Sequence, residues 1–367
     1  MISVKETTNL KEFIAVQSLI YKNDSLFVKP LIKEEMKIID ARHNPFYKNA
    51  TIKLFIAYEN SKPVGRIAAI INKGHNRFHN DSVGFFGFFE SQNSVAISNE
   101  LFKAAEVYLS KNSMKIMRGP VNPSMNDTCG VLVKGFFQPP VFMMPYNRKY
   151  YIDLFESYGF KKAKDLYAFY ATTANKPKNK LEKLSNYIQK KYKIDLRNFS
   201  RKNFDRDIEI IHHLYSKSWE GNWGFSPPTL EEFKYGTKDF KTLVPEELVI
   251  IAERDKKPCG FSALIPDFNQ VIKKANGSIT PFNFIQILSG MKKIDSYRLI
   301  TLGVLPECRK MGVDLLFYVK SFEVVEKRKG IGGELSWTLE DNDAINKPIK
   351  KMNSEHYKTY RIYEKQI

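Results

Sequence analysis

The sequence is poor in the residues that hold disulfide-rich or metal-bound folds together. It has three cysteines in 367 residues, and Cys129, Cys259 and Cys308 are widely separated. An odd number of distant cysteines without ligand spacing suggests neither a disulfide framework nor a zinc site. The six histidines form no metal motif either, because the neighbours His212 and His213 fall in a helical pattern, where consecutive side chains point about 100° apart. We therefore expect no bound metal.

Long apolar runs are also missing. No segment approaches the ~20 apolar residues that a membrane-spanning helix requires. The N-terminus includes an acidic residue, Glu6, and has no long apolar core, unlike a secretory signal. These absences predict a soluble, cytoplasmic protein with no membrane partner. Apolar residues still make up 43% of the 367-residue chain, which argues against disorder and allows two globular units of ordinary size.

The net charge is strongly positive. Lysine and arginine number 58 against 40 aspartates and glutamates, which gives +18 at pH 7. Such a charge would attract nucleic acid, acidic lipid or polyphosphate ligands. Most of the excess is lysine in a chain also rich in asparagine and isoleucine, and this bias spreads the charge over solvated surfaces. No Arg-rich arm, zinc finger or Lys/Arg-Gly-Phe strand occurs, so tRNA is a minority partner.

Predicted strands and helices follow the same order twice along the chain. Each half has a helix, a two-stranded meander, a third strand, a helix and a fourth strand. In the first half these elements are predicted at residues 10–21, 52–58, 64–72, 83–89, 95–109 and 115–119. In the second half they are predicted at residues 208–219, 248–253, 259–265, 298–304, 313–329 and 333–339. The polar stretch 174–180, which contains Pro177, is the expected linker between domains at 1–173 and 181–367.

The stretch from Leu302 to Asp314 predicts a cradle for a pyrophosphate. An apolar strand runs into a turn and then into an amphipathic helix. These elements together aim backbone N–H groups at one point, where the positive end of the helix dipole favours an anion. Gly312 supplies the backbone freedom that such a turn needs. The candidate binding residues are Leu302, Val304, Arg309, Lys310, Met311, Gly312, Val313 and Asp314.

Asp314 leaves an alternative open at this turn. A carboxylate in the first turn of a helix would cap the free N–H groups and repel a diphosphate at the same point. The stretch would then be an ordinary capped helix. A second possibility is that the carboxylate points away from the turn and leaves the preceding amides for phosphate.

The spacing Pro306-x-x-Arg309-x-x-Gly312 resembles the acyl-CoA-binding motif of the GNAT acyltransferase superfamily. The usual form of that motif is Arg/Gln-x-x-Gly-x-Gly/Ala, and Asp314 departs from it at the last position. The stretch 147–160 predicts a helix closed by glycine at its C-cap, and its Tyr-Gly-Phe ending also resembles the GNAT helix after the fifth strand. The chain as a whole resembles a tandem GNAT protein. The resemblance is to a group of large bacterial GNAT-like proteins with no settled substrate, which carry stretches like those at 219–225, 266–269 and 334–342.

This resemblance implies an α/β (α+β) fold of two tandem GNAT-like domains. Each would be a mixed, mostly antiparallel sheet, splayed between its fourth and fifth strands and flanked by helices. Acetyl-CoA or another acyl-CoA would lie in the splay as co-substrate. The first domain is expected to be degenerate, because the stretch 90–95 stands where glycines are expected, so the cofactor belongs in the second. Asn342 lies where the family commonly contacts the pantetheine arm, and helix N-capping is its equal alternative.

Candidate catalytic residues lie on and beyond the strand that follows the cradle. Strand alternation places Glu334 and Ser336 on one face. In the GNAT arrangement this strand borders the acyl group, so Glu334 is a candidate general base, directly or through water; a structurally paired glutamate is the alternative. The tyrosine that the family often carries on the next helix is missing, and Pro348 is expected to break or shift that helix. Tyr357, Tyr360 or water would then protonate the leaving thiolate.

Aromatic and amide residues predict an acceptor pocket in the second half. The candidates, which the GNAT layout places over the acceptor site or within reach of it, are Trp219, Asn222, Trp223, Phe225, Asp267 and Asn269. They would suit an amine with an apolar portion, through a carboxylate contact and aromatic packing. Packing of the tryptophans in the core is the competing explanation.

The leading hypothesis is a CoA-dependent N-acyltransferase. It would move an acyl group from acyl-CoA to an amine of a small molecule or a peptide. One alternative is an aminoacyl-tRNA-dependent transferase, because tandem GNAT folds also serve that chemistry and the positive charge would suit tRNA. A non-catalytic GNAT-derived ligand-binding protein is the other, favoured by Asp314 and by the missing helix tyrosine.

Overall fold

The chain divides into two compact units in a computed structural model that describes residues 1–175 and 178–367. The first unit comprises Met1–Leu166, Asn269–Met291 and Lys358–Ile367. The second unit comprises Tyr167–Phe268 and Lys292–Tyr357. This division is discontinuous, whereas the sequence-based boundary at 174–180 is a single cut. Within that expected linker, Lys176 and Pro177 lie outside the described residues.

The described residues form strands and helices in alternation. The strands are β1 (Ile2–Thr7), β2 (Ala50–Glu59), β3 (Lys62–Asn72), β4 (Val83–Ser91), β5 (Ile116–Gly119), β6 (Val121–Asn122), β7 (Thr128–Cys129), β8 (Val131–Lys134), β9 (Lys161–Thr172), β10 (Ile194–Asn198), β11 (Val249–Arg254), β12 (Lys257–Pro266), β13 (Ser296–Val304), β14 (Gly332–Leu339) and β15 (Glu355–Gln366). The helices are α1 (Leu10–Ile20), α2 (Ile32–Ile39), α3 (Lys73–His79), α4 (Val95–Lys111), α5 (Tyr151–Ser157), α6 (Lys178–Tyr192), α7 (Phe204–Trp219), α8 (Leu230–Thr237), α9 (Phe240–Leu243), α10 (Asn269–Ile272), α11 (Pro281–Met291), α12 (Val313–Lys327) and α13 (Asp343–Lys351). None of these described helices is long and apolar enough to cross a membrane.

The first unit is built on a sheet that splays beside β4. Strands β1 to β4 lie in antiparallel order, and β5 runs parallel to β4. The parallel pairing covers three residue pairs, from Val83 with Ile116 to Phe85 with Arg118, so the two strands part after Phe85. All nine residues of β4 are buried, as expected for a strand covered on both faces. Helix α4 packs on one face, and α1 packs on the other, where its Phe13 meets Phe88.

The second unit repeats this arrangement. Strands β10 to β13 are antiparallel neighbours, and β14 runs parallel to β13 from Ser296 with Gly332 to Leu299 with Leu335. The two strands part beyond that last pair. One face of the sheet packs against α6 and α12, and the other packs against α7. The predicted class, a mixed and mostly antiparallel sheet flanked by helices, is confirmed. The separate sheet expected for each half is not, because the described strands β1–β5 and β8–β15 form one 13-stranded sheet in which β15 and β9 come between β5 and β14.

Three local expectations differ from the structure. The helix predicted around 147–160 is limited to α5, because the buried Asn147 side chain instead bonds the backbone N and O of Leu132 at 2.6 and 3.2 Å. Pro348 lies inside α13 and does not break it. Buried Asn346 and Ile349 on the same helix pack inward and hold it in place. The segment of α10 and α11, between the second and third strands of the second half, belongs to the first unit by its contacts.

Candidate active site

The turn between β13 and α12 has the geometry that the sequence predicts. A 3-10 turn at Pro306–Met311 leads to Gly312, whose φ of 76° lies in the left-handed region that favours glycine. A Cβ atom at Gly312 would also lie 2.8 Å from Cδ1 of Ile188 on α6. Glycine is therefore required both by the backbone dihedral and by the close approach of α6. Helix α12 begins at Val313, so its N-terminal amides belong to this turn.

Asp314 lies in the first turn of its own helix. Burial raises the pKa of its carboxyl group, and the neighbouring backbone amides of Asp314 and Leu315 act against that rise. The Leu315 amide itself donates to the Gly312 carbonyl oxygen at 3.1 Å, so it is already engaged within the protein. A phosphate at this turn would therefore use the amides that precede Asp314. The two sequence-based alternatives, an ordinary capped helix and a carboxylate that leaves these amides for phosphate, both stay predictions.

The other cradle residues divide between surface and core. Arg309 is exposed and donates from Nη2 to the Ser218 carbonyl oxygen at 2.9 Å and from Nε to that of Val304 at 3.3 Å. It therefore ties the turn to the end of α7, and Lys310 beside it is exposed. The side chains of Leu302 and Val304 pack into the core beneath α12. Their backbone is consequently the part that could contact a cofactor.

A chain of hydrogen bonds joins the three candidate catalytic residues. The Tyr357 hydroxyl donates to Oε2 of Glu334, and the Ser336 hydroxyl donates to Oε1 of the same carboxylate. Arg298 donates from Nε to Ser336 Oγ at 2.9 Å and from Nη2 to the Ser336 carbonyl oxygen at 3.3 Å. Both carboxylate oxygens are thus paired, as a structural glutamate requires. The same two hydroxyls also give a proton two routes to the carboxylate.

This polar chain lies where β13 and β14 part. Arg298 is the cross-strand partner of Glu334, and the next pair along, Leu299 with Leu335, is the last one. Glu334 is 0% exposed, and Arg298, Ser336 and Tyr357 are each at most 5% exposed. In a dry environment each of these hydrogen bonds is strong, and leaving one group unpaired is costly. Buried ionisable clusters in a cleft are candidates for chemistry, although structural networks share the pattern.

Arg298 was not singled out from the sequence. A signal was present, because it is the one charged residue in the apolar strand Ser296–Val304. A buried arginine needs partners. Its pairing with the strand that carries Glu334 could not be read from the sequence, since the register of two parallel strands joined by a helix is set by the packing of that helix.

Asn342 occupies the N-cap position of α13, but its side chain makes no capping hydrogen bond. The capping alternative is therefore not what the structure shows, and contact with a pantetheine arm stays a prediction. The neighbouring Asn346, which the sequence did not single out, is buried. Its Nδ2 donates to the Leu339 carbonyl oxygen at 2.9 Å, and its Oδ1 accepts from Thr338 Oγ1 at 2.6 Å. It locks α13 onto the end of β14.

The aromatic candidates pack largely against the sheet. Trp219 covers Gly303, where a Cβ atom would lie 2.5 Å from Cζ3 of the indole. Its ring also lies 4.9 Å from the ring of Tyr215 and 6.1 Å from that of Phe261. Phe225 is buried with its ring 5.4 Å from Tyr215. These contacts favour core packing for the two residues, whereas Asn222 and Trp223 are half-buried.

The two polar acceptor candidates do not share a compact unit. Asp267 belongs to the second unit, is 8% exposed, and its backbone amide donates to the Ser296 carbonyl oxygen at 2.9 Å. Asn269 belongs to the first unit and donates from Nδ2 to the Pro140 carbonyl oxygen at 2.8 Å. Tyr360 also belongs to the first unit. Of the two tyrosines proposed as proton donors, Tyr357 is therefore the one bonded to Glu334.

We call the point where two parallel strands part a fork. The fork between β4 and β5 in the first unit is filled by the protein itself. Beyond its last pair with β5, β4 meets β6, and a Cβ atom at Gly87 would lie 1.6 Å from the Val121 carbonyl oxygen. The backbone amide of Phe88 donates to Asn122 Oδ1 at 2.6 Å. At the end of the strand, the Ser91 amide donates to the Tyr151 hydroxyl at 3.1 Å. Backbone donors at this fork are therefore already engaged.

Buried charge closes the same fork further. Glu90 accepts from Tyr151 Oη at 2.6 Å and from Gln17 Nε2 at 2.8 Å, and burial raises the pKa of this carboxyl group. Helix α4 starts at a capped N-terminus, where Ser94 Oγ accepts from the Ile97 amide at 3.4 Å. The first unit thus has a turn without glycine, a capped helix and a filled fork, whereas the second unit has the glycine turn at Gly312.

Among residues 1–175 and 178–367, no group of three or more histidine, cysteine, aspartate or glutamate side chains is placed to hold a metal ion. The three cysteines are buried free thiols.

Two curated proteins are similar to this chain over nearly its full length. It is 31% identical to Protein YghO of Escherichia coli (strain K12) over 366 residues, which cover 98% of this chain and 93% of that protein. It is 30% identical to the bacterial ceramide synthase of Caulobacter vibrioides (strain NA1000 / CB15N) over a 375-residue alignment, which covers 100% of this chain and 97% of that protein. No protein-family model matches the chain.

The fold is similar to that of a tandem GNAT protein from the clavulanic acid biosynthesis pathway. That structure aligns with a TM-score of 0.59 and covers 100% of this chain and 98% of its own. At 9% sequence identity, the likeness carries information on fold alone. It confirms the prediction of two tandem GNAT-like domains.

Proposed function

Because the chain belongs to the GNAT acyltransferase superfamily, in one family with Protein YghO and the bacterial ceramide synthase, we propose that it transfers an acyl group from acyl-CoA to the amine of a small molecule with a long apolar portion. The donor would bind in the second domain, at the fork of β13 and β14. The observation that carries the proposal is the buried chain from Tyr357 through Glu334 and Ser336 to Arg298 at that fork.

The reaction needs one proton to be removed and one to be delivered. The amine nitrogen attacks the thioester carbon, the C–S bond breaks, and an amide and a CoA thiolate result. In our proposal Glu334 is the general base. Its carboxylate is 0% exposed, so the proton of the attacking nitrogen would reach it through the hydroxyl of Tyr357, which already donates to it. The same hydroxyl would return a proton to the thiolate.

Ser336 and Arg298 would act as positioning residues. Arg298 donates to Ser336, and Ser336 donates to the carboxylate, so the orientation of Glu334 is set by two buried neighbours. A general base must be held in one geometry to be effective.

The donor would place its diphosphate at the turn before α12. Gly312 lets the backbone turn into the helix, and the first amides of a helix favour an anion. Exposed Lys310 and Arg309 would add positive charge, which offsets the carboxylate of Asp314. The first domain would not bind a second donor, because Gly87 and Phe88 of its fork are already in contact with β6.

The acceptor class is proposed from the relative at 30% identity, whose name is that of a ceramide synthase. A ceramide is a long-chain amino alcohol whose amine carries an acyl group. An acceptor of this kind unites an amine with an apolar portion, the two features that the sequence favours. Half-buried Asn222 and Trp223, after α7, are the candidates for contact with it.

The test is an assay with defined donors and acceptors. Purified protein is incubated with acetyl-CoA or palmitoyl-CoA and with either sphinganine or a short alkyl amine, and free thiol and amide product are measured. We expect thiol and N-acyl product in equal amounts, with the long-chain amino alcohol preferred. Glu334→Gln should abolish both signals, whereas Glu323→Gln, an exposed carboxylate on α12, should not. Thiol release without amide, or equal activity of the two variants, would contradict the proposal.

A further inference from the structure

Helix α11 turns its apolar side chains toward solvent. Five large apolar residues on or beside this helix are strongly exposed, with Phe282 at 91% and Ile285 at 72%. The other three are Ile279, Phe284 and Leu288. Phe282, Ile285 and Leu288 are spaced three residues apart and lie on one side of the helix. An ordinary surface helix buries its apolar side, whereas this side of α11 faces solvent.

The orientation of α11 is fixed by contacts on its opposite side. Gly290 is buried, and a Cβ atom there would lie 2.8 Å from Cγ1 of Val271, so α11 packs closely on α10. The segment is anchored to the first unit by hydrogen bonds. Lys273 Nζ donates to the Ser25 carbonyl oxygen at 2.6 Å, and the Ile32 amide donates to that of Gly277 at 3.0 Å. The exposed apolar side of α11 is therefore held in a fixed orientation by packing on α10 and by these hydrogen bonds.

The sequence segment that carries α11 has charge of one sign. Between Asp267 and Asp295 the chain has no acidic residue, and its four charged residues are all lysines, at positions 273, 274, 292 and 293. All four are exposed. The lysines come shortly before the helix and directly after it in sequence. A cationic border around an apolar patch complements a surface that has an apolar interior and a negatively charged face.

We propose that α11 and its flanking lysines dock this protein on an anionic lipid surface. Phe282, Ile285 and Leu288 would enter the boundary between headgroups and acyl chains, while Lys274 and Lys292 would contact the acidic headgroups. This proposal departs from the expectation of no membrane partner, which was drawn from missing apolar runs, a pattern that does not detect a helix lying on a membrane surface. This docking does not depend on the proposed reaction, although it would bring the protein to a source of long-chain amines.

The experiment is flotation of the full chain with vesicles. Vesicles of phosphatidylcholine with phosphatidylglycerol are compared with vesicles of phosphatidylcholine alone, at two salt concentrations. The wild-type protein should float with the anionic vesicles and much less with the neutral ones. Phe282→Ser with Ile285→Ser should lower the vesicle-bound fraction about tenfold or more, because two large apolar side chains are lost from the contact. Lys274→Glu with Lys292→Glu should abolish the preference for anionic vesicles.

A matched control removes the same residue types elsewhere. Phe137 and Ile331 are 71% and 56% exposed, and Phe137→Ser with Ile331→Ser should float like the wild type. Equal loss in both double variants, or no flotation of the wild type, would overturn the proposal. A dimer in solution that dissociates in Phe282→Ser with Ile285→Ser, without vesicle binding by the wild type, would also overturn it, because α11 would then be an interface between copies of the chain.

Discussion

Replacement of Glu334 by glutamine separates a catalytic role of this residue from a structural one. In the native chain both oxygens of the buried carboxylate accept hydroxyl protons, one from Tyr357 and one from Ser336. The glutamine amide keeps one acceptor oxygen and presents a donor in place of the other. The Ser336 oxygen can accept from that donor, but its hydroxyl proton then has lost its acceptor in a region where it is 5% exposed.

The two costs differ in size. One lost charge-assisted hydrogen bond with an unpaired hydroxyl should lower the free energy of unfolding by about 1–3 kcal/mol, which shifts Tm by roughly 2–10 °C for a unit of this size. Loss of a general base should lower kcat by about 10²–10⁴-fold, equivalent to roughly 3–5 kcal/mol in the activation barrier. A protein that is still folded at the assay temperature would therefore lose activity out of proportion to stability.

The assay follows thiol release from acyl-CoA at saturating acceptor, with thermal unfolding measured on the same samples. Tyr357→Phe removes the hydroxyl through which the proton reaches the carboxylate and returns to the thiolate, so it should lower kcat about as much as Glu334→Gln does. The double variant should be little worse than Glu334→Gln alone, because both residues act on one proton. If Glu334→Gln shows the thermal shift but keeps kcat within about threefold of the wild type, Glu334 is a structural residue and the proposed base is wrong.

Three further changes have expected outcomes. Gly312→Ala should lower CoA affinity at least about tenfold and cost roughly 1–2 kcal/mol of stability through its left-handed φ of 76°. Adding Ile188→Ala relieves the 2.8 Å contact and should recover stability but not affinity. Full recovery of affinity in the double variant would refute the role of the turn. Asp314→Asn removes the charge and keeps a polar side chain of the same size, so calorimetry should show CoA affinity about fivefold higher, or ~1 kcal/mol. An unchanged or lower affinity would mean that the carboxylate does not compete with phosphate. Burial lowers the pKa of His75 to about 3, so the stability that this neutral histidine contributes is present above the unfolded pKa of roughly 6.5 and is lost as pH falls below it. Between pH 7.5 and 5.5 the free energy of unfolding should fall by about 1.4 kcal/mol more in the wild type than in His75→Phe. An equal fall in the two proteins would contradict the lowered pKa.

Local periodicity predicted the parts of the site that lie close together in sequence. Glu334 and Ser336 share a face because side chains alternate along a strand, and the structure joins them. The glycine turn before α12 follows from a residue that must adopt a positive φ, and Gly312 does so. Such features are encoded within a few residues and need no knowledge of the tertiary structure.

Contacts between distant segments could not be predicted in the same way. Tyr357 reaches Glu334 across 23 positions because the first residues of β15 lie in the second unit, whereas Tyr360 lies in the first. Asp267 and Asn269 are two positions apart, and the boundary between the units passes between them. The sequence of α11, which is mostly apolar, does not show which side of the helix faces solvent. In each case tertiary packing determines which unit or which side of a helix a residue belongs to, and the local sequence pattern is compatible with either arrangement.

The most direct test is a calorimetric titration of the full chain with CoA. The account predicts one CoA per chain, bound at the turn before α12, with binding lost when Gly312 is replaced by a bulky residue and retained when Ser94, at the corresponding turn of the first unit, is replaced by alanine. The account predicts no second site in the first domain, because β6 and Asn122 fill its fork. Two CoA molecules per chain, or no binding at millimolar CoA to a folded protein, would contradict it.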